Sequence, residues 1–271
     1  MSELLAISSR LPTNVGFSLE RLARRGGGEG PLRDGWGVAL YQDRDVALLR
    51  EPRAAAESEL VRFIERQTPP STLVISHIRL ATRGAPALHN TQPFIRELGG
   101  RVHVFAHNGD MPGIVVGGDV PPGRFLPVGE SDSERAFCLL LDQLEAPWRA
   151  AEGATPPLAE RLGLVAGFAA ELRRLGPVNF LYADGETLFA HAHRRRQADG
   201  AIRPPGLHVL ERRCESEEPA LDGAGMTLTG AAQEVCLLAS VPLSDAPWQP
   251  LDEGEVIAVV QGQTAARHPR V

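Results

Sequence analysis

The chain has 271 residues, 43% of them apolar, enough for one large domain or two small ones with a real buried core. Its net charge of −6 and pI of about 5.8 lack the basic footprint of a nucleic-acid binder. No apolar run reaches membrane-span length, and the N-terminus carries an acid but no basic signal-peptide cluster. All 28 basic residues are Arg, which excludes Schiff-base lysine chemistry and a Walker-type phosphate loop, and three cysteines without C-x-x-C spacing fit a reducing cytoplasm rather than a disulfide frame or zinc knuckle.

Leu4-Leu-Ala-Ile7 reads as a short buried strand, and Phe17 to Arg24 as a short helix. Gly26 to Gly37 is a glycine-rich loop by composition. Trp36 to Tyr41 and Val46 to Leu49 read as a hairpin turning at Asp43-Arg-Asp45. Ala54 to Arg66 has helical spacing, with Leu60, Phe63 and Ile64 on one face. Thr72 to Ile75 and Val102 to Phe105 are further strands, and Met111 to Pro127 is a long Gly- and Pro-rich loop. Ser133 to Leu144 is a helix, and a second starts after Pro156-Pro157. Strands follow at Val178–Tyr182, Thr187–Ala190, Leu207–Leu210, Val235–Ala239 and Val256–Val260, with the polar stretch Glu211 to Ala232 as a mobile loop. Elements in such blocks favour stacked antiparallel sheets with helices outside.

Several residues on these elements can do chemistry. Ser2 follows Met1; once Met1 is removed, its own α-amine, titrating near pH 8, can serve as the base. Ser at this position also carries no meaning in most chains. Arg79, just past a strand, can grip a carboxylate with both arms, or end in a surface ion pair; Thr82 adds a hydroxyl, and Gly84 lets the backbone come close. Asn108-Gly109 reads first as a turn, and second as a side-chain amide plus backbone N–H aimed at an oxyanion. Ser131-Asp-Ser-Glu134 matches a helix capping box, which leaves Asp132 free to take an ammonium. His191-Ala-His193 has one-face strand spacing, but no cluster completes a metal site, so no metal is expected. His77, His103 and His107 read as hydrogen-bonded structural groups.

Taken in order, Arg25-Gly-Gly-Gly-Glu-Gly-Pro31, Asp34-Gly-Trp-Gly37, His77-Ile-Arg-Leu-Ala-Thr-Arg-Gly84, Asn90-Thr-Gln-Pro-Phe94 and Phe105-Ala-His-Asn-Gly109 resemble class II glutamine amidotransferases of the stand-alone bacterial type. Asn179-Phe-Leu-Tyr-Ala-Asp-Gly185, Ala239-Ser-Val-Pro-Leu243 and Trp248-Gln-Pro-Leu251 extend the resemblance over most of the chain. It implies an α+β fold of the N-terminal nucleophile hydrolase kind. That fold is a four-layer αββα sandwich of two stacked, mainly antiparallel sheets, here spanning residues 1–271 as a single domain. The implied ligand is glutamine or a γ-glutamyl small molecule. A separate ammonia-accepting synthase would be the partner, unless the reaction is simple hydrolysis. No cofactor, nucleic acid or membrane is expected. By position Arg79, with Thr82, would hold the substrate carboxylate, Asp132 the α-ammonium, and Asn108 with Gly109 the oxyanion. The family nucleophile is Cys, and Ser2 stands in its place. Three readings of Ser2 follow: a Ser-dependent amidase, a non-catalytic γ-glutamyl binder, or a Cys-to-Ser trap. An amidase acting on a larger γ-glutamyl conjugate is a further alternative.

Overall fold

Leu4 and Ala6 face one apolar core while Leu5 and Ile7 face another. A strand covered on both faces reads as an unbroken apolar run, which is what this segment shows. The computed structural model describes residues 2–17, 34–67, 69–80, 84–114, 123–214, 226–229 and 232–269. Among these, two sheets are antiparallel at every strand pair. The first runs β14 (Gln249–Pro250), β11 (His208–Cys214), β13 (Gln233–Ala239), β1 (Glu3–Phe17), β4 (Ser71–Ile78), β2 (Trp36–Gln42), β3 (Asp45–Glu51), with β12 (Met226–Thr229) on the far end of β1. The second runs β16 (Gln263–His268), β15 (Val256–Val260), β8 (Leu188–His191), β7 (Val178–Ala183), β6 (Arg101–Gly109), β5 (Phe94–Leu98). A two-stranded ribbon, β9 (Arg195–Arg196) with β10 (Ile202–Arg203), stands apart.

Three apolar cores separate four layers. Helix α1 (Glu59–Arg66) sets Val61 and Ile64 against Leu5, Ile7, Trp36 and Val38 of the first sheet. Helices α2 (Asp132–Ala150) and α3 (Leu158–Arg173) set Phe137, Leu141, Val165 and Phe168 against Phe94, Phe105 and Phe180 of the second. Between the sheets, Leu4, Ala6, Ala39 and Ile75 meet Val104, Ala106, Leu181 and Ile257. The expected αββα sandwich is the observed one. Among the described residues, no helix is long and apolar enough to cross a membrane.

The differences from the sequence reading have local causes. β1 runs to Phe17 rather than ending at Ile7, because the buried hydroxyls of Ser8, Ser9 and Thr13 find partners across a register shift against β4. The helix expected from Phe17 begins where β1 ends and otherwise lies outside the described residues, as do most of the Gly26 to Gly37 loop and the centre of the Met111 to Pro127 loop. α1 starts only at Glu59, because the Ser58 side chain caps it through the Val61 N–H, and Phe63 is turned outward at 55% exposure. The segment from Glu211 is no loop at its ends: Glu211 to Cys214 belong to β11, and Met226 to Thr229 pair with β1.

Candidate active site

Ser2 lies just before β1, in the middle of the first sheet. Because Glu3 pairs with Ile78, the next residues out bring Ser2 against the Arg79-Leu80 backbone. The Leu80 N–H donates to Ser2 Oγ at 3.0 Å, and the Ser2 hydroxyl reaches Leu80 O at 3.3 Å. From the other sheet, Asn108 near the end of β6 donates through Nδ2 to Ser2 O at 3.2 Å and to Ser240 Oγ at 2.9 Å. Ser240, directly after β13, also accepts from the Leu4 N–H at 2.9 Å. A residue from each sheet and a strand end therefore meet at the start of β1.

Asn108-Gly109 is not a turn. Both residues remain in β6, paired with Asn179 and Val178 of β7. Gly109 has φ +138°, and a Cβ there would sit 2.0 Å from Pro177 O, so close backbone packing and backbone shape both demand glycine. The following N–H, of Asp110, donates to that same oxygen at 3.2 Å.

Arg79 is 4% exposed. Its Nη1 donates to Asp34 O and Ala85 O, each at 3.3 Å, and its Nη2 to Gly84 O at 3.0 Å. Its own N–H meets Gly35 O at 2.8 Å. It is therefore a buried residue rather than a surface one: the guanidinium draws two separate backbone segments together, at Asp34 and at Gly84-Ala85. Burial lowers its pKa, against the pull of Asp34. Gly84, at φ +74°, has no room for a side chain beside Asn90 Nδ2. Thr82 lies outside the described residues.

Asp132 opens α2, whose cap is Ser131, accepting from the Glu134 N–H at 3.2 Å. Only half of the expected capping box forms, because Glu134 turns to Arg96 and to the Gly129 N–H instead. Asp132 Oδ2 accepts from the Met111 N–H at 3.0 Å, which ties the helix start to the chain three residues after Asn108. Its Oδ1 accepts from the Ser133 N–H at 2.8 Å. Ser133 Oγ meets His107 Nδ1 at 2.9 Å, and Gln92 clasps the His107 backbone from both ends, with Oε1 to N at 2.6 Å and Nε2 to O at 3.1 Å. The Asn90 to Phe94 segment thus braces β6 against α2.

Histidines surround this region. His77 is fully buried and its pKa falls to about 3, through burial first and then the neighbouring His107 and Arg79. His103 and His107 have the expected hydrogen bonds, to Tyr182 and Ser133. His77 departs from that expectation, since among the described residues no partner in good geometry meets either ring nitrogen. β8 ends at His191, whose Nδ1 faces Glu255 O at 3.0 Å, while His193 lies 3.5 Å from Glu253. Among the described residues no group of three or more His, Cys, Asp or Glu could hold a metal ion.

Two contributors escaped the sequence reading. Asn179 and Ser240 sit on segments noted for their resemblance, yet neither stood out as a site residue. The signal available was weak: a polar side chain at the end of an otherwise apolar strand. Glu3 adds a third. It is fully buried, with Oε1 2.7 Å from Arg195 Nη2, and burial pushes its carboxyl up to about 7 despite that guanidinium.

Comparison with known proteins gives the family and the fold. The family model for class II glutamine amidotransferases matches residues 1–270. The Escherichia coli protein YafJ, named as a glutamine amidotransferase on a provisional basis, is 34% identical over 256 residues, covering 94% of this chain and 96% of its own. A Haemophilus influenzae protein with the same kind of name is 29% identical over 272 residues, covering 98% and 86%. Among solved structures, a predicted glutamine amidotransferase from Pseudomonas aeruginosa superposes with a TM-score of 0.69 at 33% identity, covering 97% of this chain and 99% of that one. Glutamine phosphoribosylpyrophosphate amidotransferase from Bacillus subtilis shares the fold with a TM-score of 0.54 at 13% identity; this chain spans 48% of its length. The family match along the whole chain and the meeting of its motif segments around Ser2 lead to one statement: this chain belongs to the class II glutamine amidotransferases.

Proposed function

We propose that this chain hydrolyses the γ-amide of glutamine, or of another γ-glutamyl compound, with Ser2 as the nucleophile. The observation that carries the reading is the approach of the Asn108 amide to the Ser2 backbone at 3.2 Å, from a different sheet. Removal of Met1 frees the Ser2 α-amine, which takes the proton from Oγ as that oxygen attacks the amide carbon. The resulting oxyanion is held by the Gly109 N–H and by Asn108 Nδ2, which gives up its longer bond, the one to Ser2 O, to reach it. Collapse expels ammonia, protonated by the same amine, and leaves a γ-glutamyl ester on Ser2. Water then cleaves the ester to glutamate. Arg79 and Thr82 hold the substrate carboxylate, and Asp132 the α-ammonium. The ammonia passes to a separate synthase or is simply released.

One observation favours a second reading. A thiol with a pKa near 8.5 is partly ionised at neutral pH, whereas an alcohol needs full general-base help. With Ser2 in the nucleophile position, a γ-glutamyl binder without turnover is the rival. Glutamate release from glutamine, measured for the chain, Ser2→Cys and Ser2→Ala, separates them. The amidase reading expects release by the chain and by Ser2→Cys, none by Ser2→Ala, and an N-terminal mass lacking Met1. Release only by Ser2→Cys, with glutamine bound by all three in calorimetry, would establish the binder. Retained Met1 would block the amine and sink the amidase.

A further inference from the structure

An oxyanion donor works only if its amide points the right way round, and an asparagine offers two nearly equivalent orientations. Here the choice is set by a chain of hydrogen bonds whose far end is backbone. The His193 N–H donates to Asn179 Oδ1 at 2.7 Å, and Asn179 Nδ2 donates to Arg194 O at 2.8 Å. A backbone N–H can only donate and a backbone carbonyl can only accept, so these two groups decide which end of the Asn179 amide is nitrogen. The second proton on Asn179 Nδ2 then goes to Asn108 Oδ1 at 2.8 Å. With its oxygen engaged there, Asn108 turns its NH2 toward Ser240 Oγ and Ser2 O, a backbone acceptor whose longer bond favours the same orientation from the near end. Both asparagines are buried, at 0% and 1% exposure, so neither can trade these partners for water. Gly206 closes the remaining side: a Cβ there would lie 1.7 Å from Asn179 Oδ1 and 2.8 Å from the His193 nitrogen.

We propose that Asn179 is a positioning residue of the amidohydrolase site: it sets the orientation in which Asn108 presents its N–H groups to Ser2 and to the developing oxyanion. This rests on reading Asn108 as an oxyanion donor. Asn179 touches no reacting atom, and its effect passes wholly through Asn108.

The test is Asn179→Asp, nearly identical in shape. The new carboxylate still accepts from the His193 N–H but donates to nothing, so Asn108 Oδ1 loses its donor and the Asn108 NH2 is drawn toward the carboxylate, against the hold of Ser2 O, and away from Ser2. Glutamine hydrolysis is measured for Asn179→Asp, Asn108→Ala and the double variant, in the Ser2→Cys form if the Ser2 form is slow. The expected result is a kcat loss of about 10²–10³ for each single variant, with KM within about twofold, and no further loss in the double. Losses that multiply in the double, or a KM rise that carries the whole effect, would overturn the proposal and leave Asn179 a structural residue. A readout without turnover accompanies it. In protein labelled with 15N-asparagine, the Asn108 side-chain NH2 signals, assigned by their absence in Asn108→Ala, show contacts to Ser240 that vanish in Asn179→Asp. Unchanged contacts would overturn the proposal. If neither the Ser2 nor the Ser2→Cys protein releases glutamate, the reaction reading fails, and the positioning of Asn108 stands or falls on the NMR contacts alone.

Discussion

At the scale of single residues, Gly109 shows how the same dipeptide can mean two things. Asn-Gly after an apolar run is a strong turn signal, yet here the strand continues through it, because β7 supplies partners for both residues. The glycine is needed for a different reason, the approach of Pro177 O. Gly109→Ala is therefore expected to lower stability and to disturb the Asn108 amide beside it. Gly153 provides the control: it also has positive φ, at +88°, but a Cβ there meets nothing within 4 Å. Gly153→Ala should show only the backbone strain, on the order of 1–3 kcal/mol. Thermal unfolding of the two variants side by side reads the difference, and equal losses would show that the Pro177 contact relaxes without cost. Arg79, Asn108 and Asp132 were legible as candidates because arginine, amide and carboxylate carry their chemistry in the side chain. Asn179 was not, because its importance lies in which backbone groups surround it.

At the scale of elements, α3 is fastened to the β7–β8 turn by a buried ion pair. Arg161 Nη1 bonds Asp184 Oδ2 and lies 3.0 Å from Thr187 Oγ1, and Arg161 Nε donates to Pro156 O at 2.8 Å. Both charged side chains are almost fully buried. Removing either partner strands a buried charge, which costs about 3–5 kcal/mol; removing both relieves that penalty. Arg161→Leu and Asp184→Leu are each expected to lower the urea midpoint sharply, and the double variant by clearly less than their sum. A strictly additive result would show the two sites to be independent. The sequence marks α3 well, through the proline pair before it and its apolar stripe. It marks β16 poorly: that strand alternates between exposed and half-buried residues, and nothing in its composition separates it from a polar tail. β5, with Arg96 and Glu97 in its centre, was hidden in the same way.

At the scale of the whole molecule, buried histidines, His77, His103 and His191 among them, make stability depend on pH. Burial lowers His77 and His191 to about 3 and His103 to about 4, all below the unfolded value near 6.5. Below pH 6.5 the unfolded chain binds protons that the folded chain refuses, so stability is full above that pH and falls as pH drops toward 4. Each histidine contributes a slope of about 1.4 kcal/mol per pH unit in that window. Glu3 acts with the opposite sign: its carboxyl, raised from 4.5 to about 7, favours the folded state at low pH and loses that contribution as pH rises through 7. Urea unfolding between pH 7 and 4.5 is expected to show a net loss, and His191→Asn a slope smaller by about one histidine's share. An unchanged slope in that variant would mean His191 takes up a proton in the folded protein. The sequence by itself determined that sheets stack with helices outside, and it supplied the chemical kit, while its family resemblance carried the four-layer order. Apolar periodicity dictates which faces must be buried, and an amide, a guanidinium and a carboxylate keep their reactivity in any fold. Only the tertiary structure decided that Ser2 and Asn108, 106 positions apart, stand within one hydrogen bond, and that Asn179 bonds the other end of the Asn108 amide. Those relations depend on how two sheets stack and on where individual backbone N–H and C=O groups end up, and no local pattern encodes either.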